Sequence, residues 1–148
     1  MSAYLDTGVI AKLYVLESDS AEAARLVSAY RPPLVFTHLQ ALEIRNALRL
    51  KVFRGEITRA QLRLTMSRLE IDIRAGRWES PRYALSDVYE KAEDLSRRFA
   101  PTTGCRSLDI LHVAAAVVLK VRDFVTFDVR QGRLARKARL RLRPVRRE

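Results

Sequence analysis

The sequence predicts an α/β protein, a three-layer α/β/α arrangement with a central parallel sheet of four to five short strands and helices on both faces. Three observations carry this. Short apolar runs of strand length alternate with longer stretches of helical periodicity, the pattern of parallel strands joined by helical crossovers. Connections are short, with no internal repeat, low-complexity segment or linker, so residues 1–148 read as a single domain. The stretch Ser107 to Lys120 lacks Gly and Pro and is apolar from Leu108 to Leu119 except at Asp109 and His112. A helix apolar on every side is a buried helix.

Taken in order, Ser2 to Leu5 is a short buried strand that ends at Asp6-Thr7-Gly8. A helix over Val9 to Glu17 follows, with Thr7 as its cap. Asp19 or Ser20 caps a second helix to about Tyr30, with Ala21, Ala24, Leu26 and Val27 facing inward, and Arg31-Pro32-Pro33 stops it. Leu34 to Thr37 is a second buried strand. A helix from His38 to about Arg54 ends at Gly55. Thr58 starts the next, with Gln61 at the capping-box position, running to about Ala75. Residues 38–75 read as a helical pair that projects from the sheet. Arg77 to Glu79 is a short strand, Tyr83 to Phe99 a long helix and Pro101 to Gly104 a loop. Ser107 caps the apolar helix. Phe124 to Phe127 is a strand ending at Asp128, Gln131 to Ala138 is helical, and Leu140 to Val145 is a last edge strand that begins a basic tail over 140–148.

The composition narrows the function classes. Hydrophobic residues make up 48%, which excludes a disordered polymer. A single cysteine, Cys105, rules out an intrachain disulfide and suits a reducing, cytoplasmic setting; the residue reads as packing or loop. No signal peptide or run of membrane-spanning length is present. The net charge is +11, and residues 120–148 hold eleven of the bases against three acids. Such a surface attracts polyanions, above all nucleic acid, although a solvated tail or an acidic protein partner accounts for it equally well. There is no P-loop and no Gly-rich dinucleotide turn. Trp78, Tyr4 and Tyr14 read as core rather than as stacking platforms.

Four carboxylates are singled out by position. Asp6 and Asp128 end strands, and ligands of a parallel α/β sheet sit beyond the carboxyl ends of its strands. Glu43 lies on a helix face shared with Leu39, Leu42, Asn46, Ala47 and Leu50, which makes Glu43 and Asn46 polar groups on an inward face. Asp109 opens the buried helix, where a lone carboxylate costs several kcal/mol and therefore needs a partner. Each acid has a plain alternative: a cap, a helix-dipole contact, an arginine pair or a turn. Together, on a parallel sheet, all four point to one cleft and repel one another. A divalent cation relieves this, and all-oxygen ligands select Mg²⁺ or Mn²⁺ over zinc. His112, one turn from Asp109, reads as core or as a group positioning a carboxylate, since the only other soft ligands are His38 and Cys105. Thr7 and Thr126 are placed to hydrogen-bond water or phosphate, with helix capping and strand propensity as their plain readings.

These residues lie in pieces that resemble a PIN domain: Tyr-Leu-Asp-Thr-Gly-Val-Ile-Ala-Lys-Leu-Tyr (4–14), Ala-Leu-Glu-Ile-Arg-Asn-Ala-Leu (41–48), Ser-Leu-Asp-Ile-Leu-His-Val-Ala-Ala-Ala (107–116) and Val-Thr-Phe-Asp (125–128). Their order and spacing match along nearly the whole chain, and its compact length resembles the VapC-type toxins of toxin–antitoxin pairs. The resemblance implies a Mg²⁺- or Mn²⁺-dependent endoribonuclease with an RNA substrate, a cognate antitoxin and a homodimeric state. It carries over Asp6, Glu43, Asp109 and Asp128 as catalytic and metal-binding acids, with Thr7, Asn46, His112 and Thr126 in support. Gly8 stands where the family often has Ser, which removes one hydroxyl near the metal. The alternatives are a PIN-type nuclease acting on DNA or in RNA processing without an antitoxin, and an inactive basic nucleic-acid-binding module. A phosphoacceptor regulator fits less well, because Thr7-Gly8, not a further acid, follows Asp6.

Overall fold

The computed structural model describes residues 3–144. Ser2, expected in the first strand, and Val145 to Glu148 of the expected basic tail lie outside the described residues. The elements run β1 (Ala3–Leu5), α1 (Thr7–Tyr14), α2 (Ser20–Ser28), β2 (Leu34–Val35), α3 (His38–Phe53), α4 (Arg59–Arg74), β3 (Trp78–Glu79), α5 (Leu85–Thr103), α6 (Ser107–Val118), β4 (Asp123–Val125), α7 (Val129–Lys137) and β5 (Arg141–Arg143). The strand–helix alternation expected from the sequence is present, and every strand is paired parallel. The chain divides into two compact units, one of residues 1–6 and 81–148, the other Thr7–Ser80.

The first unit is built on a three-stranded parallel sheet of order β1-β4-β5. The short apolar strands β1 and β4 are fully buried, and β5 forms an edge. α5, α6 and α7 pack against one another, and α7 also packs on β5. Register places Tyr4 beside Phe124, and their rings stack 5.6 Å apart at 5°. α6 is buried through its middle, from His112 to Ala116, while Leu108 at its start is exposed. The Tyr4 hydroxyl hydrogen-bonds His112 Nδ1 at 2.8 Å, so this histidine belongs to the core.

Asp123, the first residue of β4, is 1% exposed. Its register partner on β5 is Arg141, whose Nε and Nη2 donate to the two carboxylate oxygens at 2.6 and 2.8 Å. A buried carboxylate is tolerable only with such pairing. Arg122 and Arg143 stand farther off, at 3.8 and 3.9 Å.

The second unit carries a two-stranded parallel sheet, β2-β3, with α1 packed on α2, α3 and α4. The pair α3–α4 is therefore part of a packed unit. Thr37 and Thr58 close full capping boxes with Gln40 and Gln61. Gly55 and Gly76 follow the C-caps of α3 and α4 at φ +73° and +76°, a conformation that strains other residues. Trp78 Nε1 donates to the Tyr14 hydroxyl at 2.7 Å, and that hydroxyl donates to Asp72 at 2.5 Å. Burial and the neighbouring Asp72 carboxylate push the Tyr14 hydroxyl well above the ordinary tyrosine range, so it stays protonated and ties α1 to α4 and β3.

Several expectations are corrected. α1 starts at Thr7, so Thr7 is its first residue and not its cap. The inward face of α2 is Ser20, Ala23 and Val27, leaving Ala21 and Ala24 exposed. α5 runs through Pro101, where a loop was expected, and ends at Gly104 with φ +66°. So near the end, proline forfeits little of the helix ladder, and the Phe99 carbonyl accepts from the Thr103 hydroxyl at 2.9 Å. The N-cap of α6 is Arg106 rather than Ser107. α7 begins two residues earlier than expected, directly after Asp128.

Arg141→Met, which leaves Asp123 buried with its closest partner gone, should cost about 3 kcal/mol, the lower end for a broken buried pair because Arg141 itself is 45% exposed. The double variant Asp123→Leu/Arg141→Met should recover most of this. Urea unfolding midpoints at pH 7 check both.

Candidate active site

The parallel ladder of the first unit runs one step past its strands. The Asp6 N–H donates to the Val125 carbonyl at 2.9 Å, and the Thr126 N–H donates to the Arg143 carbonyl at 3.0 Å. This sets Asp6 and Thr126 side by side at the carboxyl edge of the sheet. The Thr126 hydroxyl lies 3.5 Å from Asp6 Oδ2, a long contact, and accepts from the Asp128 N–H at 3.0 Å. Asp128 is the N-cap of α7, and its Oδ1 accepts from the Gln131 N–H at 2.8 Å. One hydroxyl thus touches both strand-end acids' segments.

Asp109 lies in the first turn of α6. The Cys105 thiol, in the preceding loop, contacts the Arg130 carbonyl in the first turn of α7 at 3.2 Å. Burial, then the charges of Asp109 and Asp128, push that thiol above its ordinary range, opposed by the Thr103 hydrogen bond and Arg130. Asp109 and Asp128 therefore act on one point. Cys105 is a reporter of the acids here, not a nucleophile.

In the second unit, the Thr7 hydroxyl donates to Glu43 Oε1 at 3.2 Å. Arg45 is engaged with Glu70 at 2.6 Å.

Glu43 and Asp109, expected on inward helix faces, are not fully buried. Asp6, Glu43 and Asp109 are half-buried and Asp128 is exposed. The fully buried carboxylate is Asp123, which the sequence reading did not single out. The inward face of α3 is Gln40, Ile44 and Leu48, whereas Leu42 is 65% exposed and Asn46 is exposed, so Asn46 does not sit with Glu43 on a buried face. Asp128 and Gln131, three apart, form an N-cap pair, and that spacing was the available signal that α7 starts at Val129. The Gln131 amide is fully buried with neither polar end hydrogen-bonded to a described residue, because Thr126 already holds the Asp128 N–H that a capping-box glutamine would bind.

Among the described residues, no group of three or more His, Cys, Asp and Glu side chains is gathered as a metal site. The donors at this edge are carboxylate and hydroxyl oxygens, the chemistry of a hard cation. Mg²⁺ keeps several of its waters and commonly uses only one or two carboxylates.

No family model matches the chain, and no curated protein matches it in sequence. Among solved structures it is similar to the crystal structure of FitAcB from Neisseria gonorrhoeae, with a TM-score of 0.69 and 18% identity over 96% of each chain. The fold is PIN-like. Parallel strands flanked by helices, with acids at their carboxyl ends, agree with what the resemblance in the sequence implied about architecture. Among the described residues no helix is long and apolar enough to cross a membrane.

If Asp109 and Asp128 both bear on Cys105, Asp109→Asn and Asp128→Asn should each lower the thiol's pKa. Alkylation by iodoacetamide near pH 8 should then run faster in each variant than in the parent, and fastest in the double variant.

Proposed function

We propose that this protein is a metal-dependent endoribonuclease of PIN type, acting as the toxin of a type II toxin–antitoxin pair. The observation that carries the reading is the linked group at the carboxyl edge: Asp6 and Thr126 set side by side by the parallel ladder, with Asp128 held to Thr126. The sequence pieces around Asp6, Glu43, Asp109 and Asp128, and the PIN-like fold, support it.

In this reading Asp6 and Asp109 hold Mg²⁺ or Mn²⁺ directly, Glu43 acts through water and Asp128 serves a second ion. When bound, such an ion lowers the pKa of a water and offsets the charge that builds on phosphate oxygens. Thr126 keeps Asp6 and the Asp128 backbone in place, and Thr7 orients Glu43. Half-exposure leaves the acids open to a polymer that arrives from solvent. Arginine forks suit the phosphodiester backbone, and the +11 charge draws it in. His112, engaged with Tyr4, supports the sheet beneath α6. RNA is the substrate, a small cognate antitoxin and a second copy of the chain are the partners, and the cytoplasm is the setting.

Asp6→Asn tests the reading with a labelled RNA and the DNA of the same sequence, each with Mg²⁺ or Mn²⁺. The parent should cut RNA and spare DNA. The variant should cut about 100-fold more slowly or less, the scale on which losing one charge-stabilising group costs rate. Cleavage unchanged by the substitution, or by EDTA, would refute the assignment.

A further inference from the structure

α7 lays a line of positive charge away from the acids. Its buried side is Gln131, Gly132, Leu134 and Ala135, and its outer side carries Arg130, Arg133 and Lys137, all exposed. These follow i, i+3, i+7 spacing, so they form one stripe. The helix opens on Asp128, and Lys137 lies seven positions beyond Arg130, about 10 Å at the helical rise. The chain then turns at Arg139, φ +65°, into β5 at Arg141, the register partner of the first residue of β4. Lys137 therefore lies towards the amino edge of the sheet, opposite the acids.

There the stripe meets a small groove of about 200 Å³ between α5, α6 and the end of α7. Four bases line it, Lys91, Arg98, Lys137 and Arg139, against a single acid, Asp94. Asp94 is already shared by Arg97 at 2.9 Å, Arg98 at 3.3 Å and Lys91 at 3.8 Å. Two of the cations are held over one ring: Arg98 Cζ sits 4.7 Å and Lys137 Nζ 5.5 Å from the centre of Phe99. Cation–π contact of this kind preorganises the charges, which lowers the ordering cost of a ligand.

The groove is smaller than the roughly 300–1,000 Å³ of sites that enclose a whole ligand. It suits one group of a passing polymer. None of the large exposed hydrophobic side chains lines it, which disfavours a lipid surface, where apolar insertion accompanies basic charge. A basic line beside an aromatic ring is instead the composition of single-stranded nucleic-acid grooves.

We propose that Arg130, Arg133 and Lys137, continued by Arg98 and the Phe99 groove, form a track that binds the phosphate backbone of single-stranded RNA beyond the cleavage edge. The direction of the track rests on the ribonuclease reading; binding along it does not. The test is fluorescence anisotropy with a short labelled oligouridylate, in EDTA to stop turnover, over a series of salt concentrations. Arg98→Gln/Lys137→Gln removes two track charges and Arg133→Gln removes one. Arg63→Gln/Arg68→Gln, on exposed α4 positions, is the control for net charge. Each released counterion contributes about 0.7 to the slope of log K against log salt for single strands, so the track pair should lose roughly 1.4 of slope and at least tenfold in affinity at about 0.1 M salt. Arg133→Gln, which touches neither Phe99 nor Asp94, should lose about half as much slope. The control pair should stay near the parent. Equal loss in the control, no loss in the track variants, or binding of a phosphatidylserine vesicle or polyglutamate as tight as that of RNA would overturn the proposal. Because the binding assay runs in EDTA without turnover, a failed cleavage assay and a failed track give different results.

Discussion

The candidate site depends on the register of three short parallel strands. β1, β4 and β5 are each three residues long, so little backbone holds them in line. The Asp123–Arg141 pair fixes the amino end of β4 against β5, and the stacked Tyr4 and Phe124 rings fix β1 against β4. A slip of one residue would separate both pairs. With the register held, the ladder extends through the Asp6 and Thr126 amides, and the two residues meet at the carboxyl edge. A buried ion pair at one end of the sheet thus helps set Asp6 and Thr126 at the other.

The acids themselves do different work from Asp123. Asp123 is out of water and needs its guanidinium; Asp6, Asp109 and Asp128 keep part of their hydration. Partial exposure leaves Asp6 and Asp128 open to solvent, and Asp128 is the N-cap of α7, whose outer face is basic. One short helix and its cap thus carry an acid at one end and a basic outer face.

Much of this was legible in the sequence. Buried strands ending in acid, alternating with helices, gave the α/β class and the positions of Asp6 and Asp128 without any coordinates. The Thr58 box and the glycines after α3 and α4 were readable because capping is local chemistry. What failed was facing. α3 has leucines and alanines around most of its circumference, so periodicity alone did not distinguish the Ile44–Leu48 face from the Leu42–Asn46 face. Pro101 near a helix end looked like a stop because its cost depends on how many hydrogen bonds follow it. Asp123 was overlooked because its partner, Arg141, lies eighteen residues away among many other arginines and becomes specific only through strand pairing. The contacts of Thr7 with Glu43 and of Thr126 with Asp128 likewise depend on tertiary placement.

Addition of substoichiometric Mn²⁺ to isotopically labelled protein, followed by amide NMR, tests the central claim most directly. Bound Mn²⁺ broadens resonances near it. The account predicts that the amides of Asp6, Thr126, Asp128 and Asp109 fade first and together, and that excess Mg²⁺ restores them. Broadening that begins at other acids, such as Asp72 or Asp94, or that spreads evenly over the surface, would contradict it.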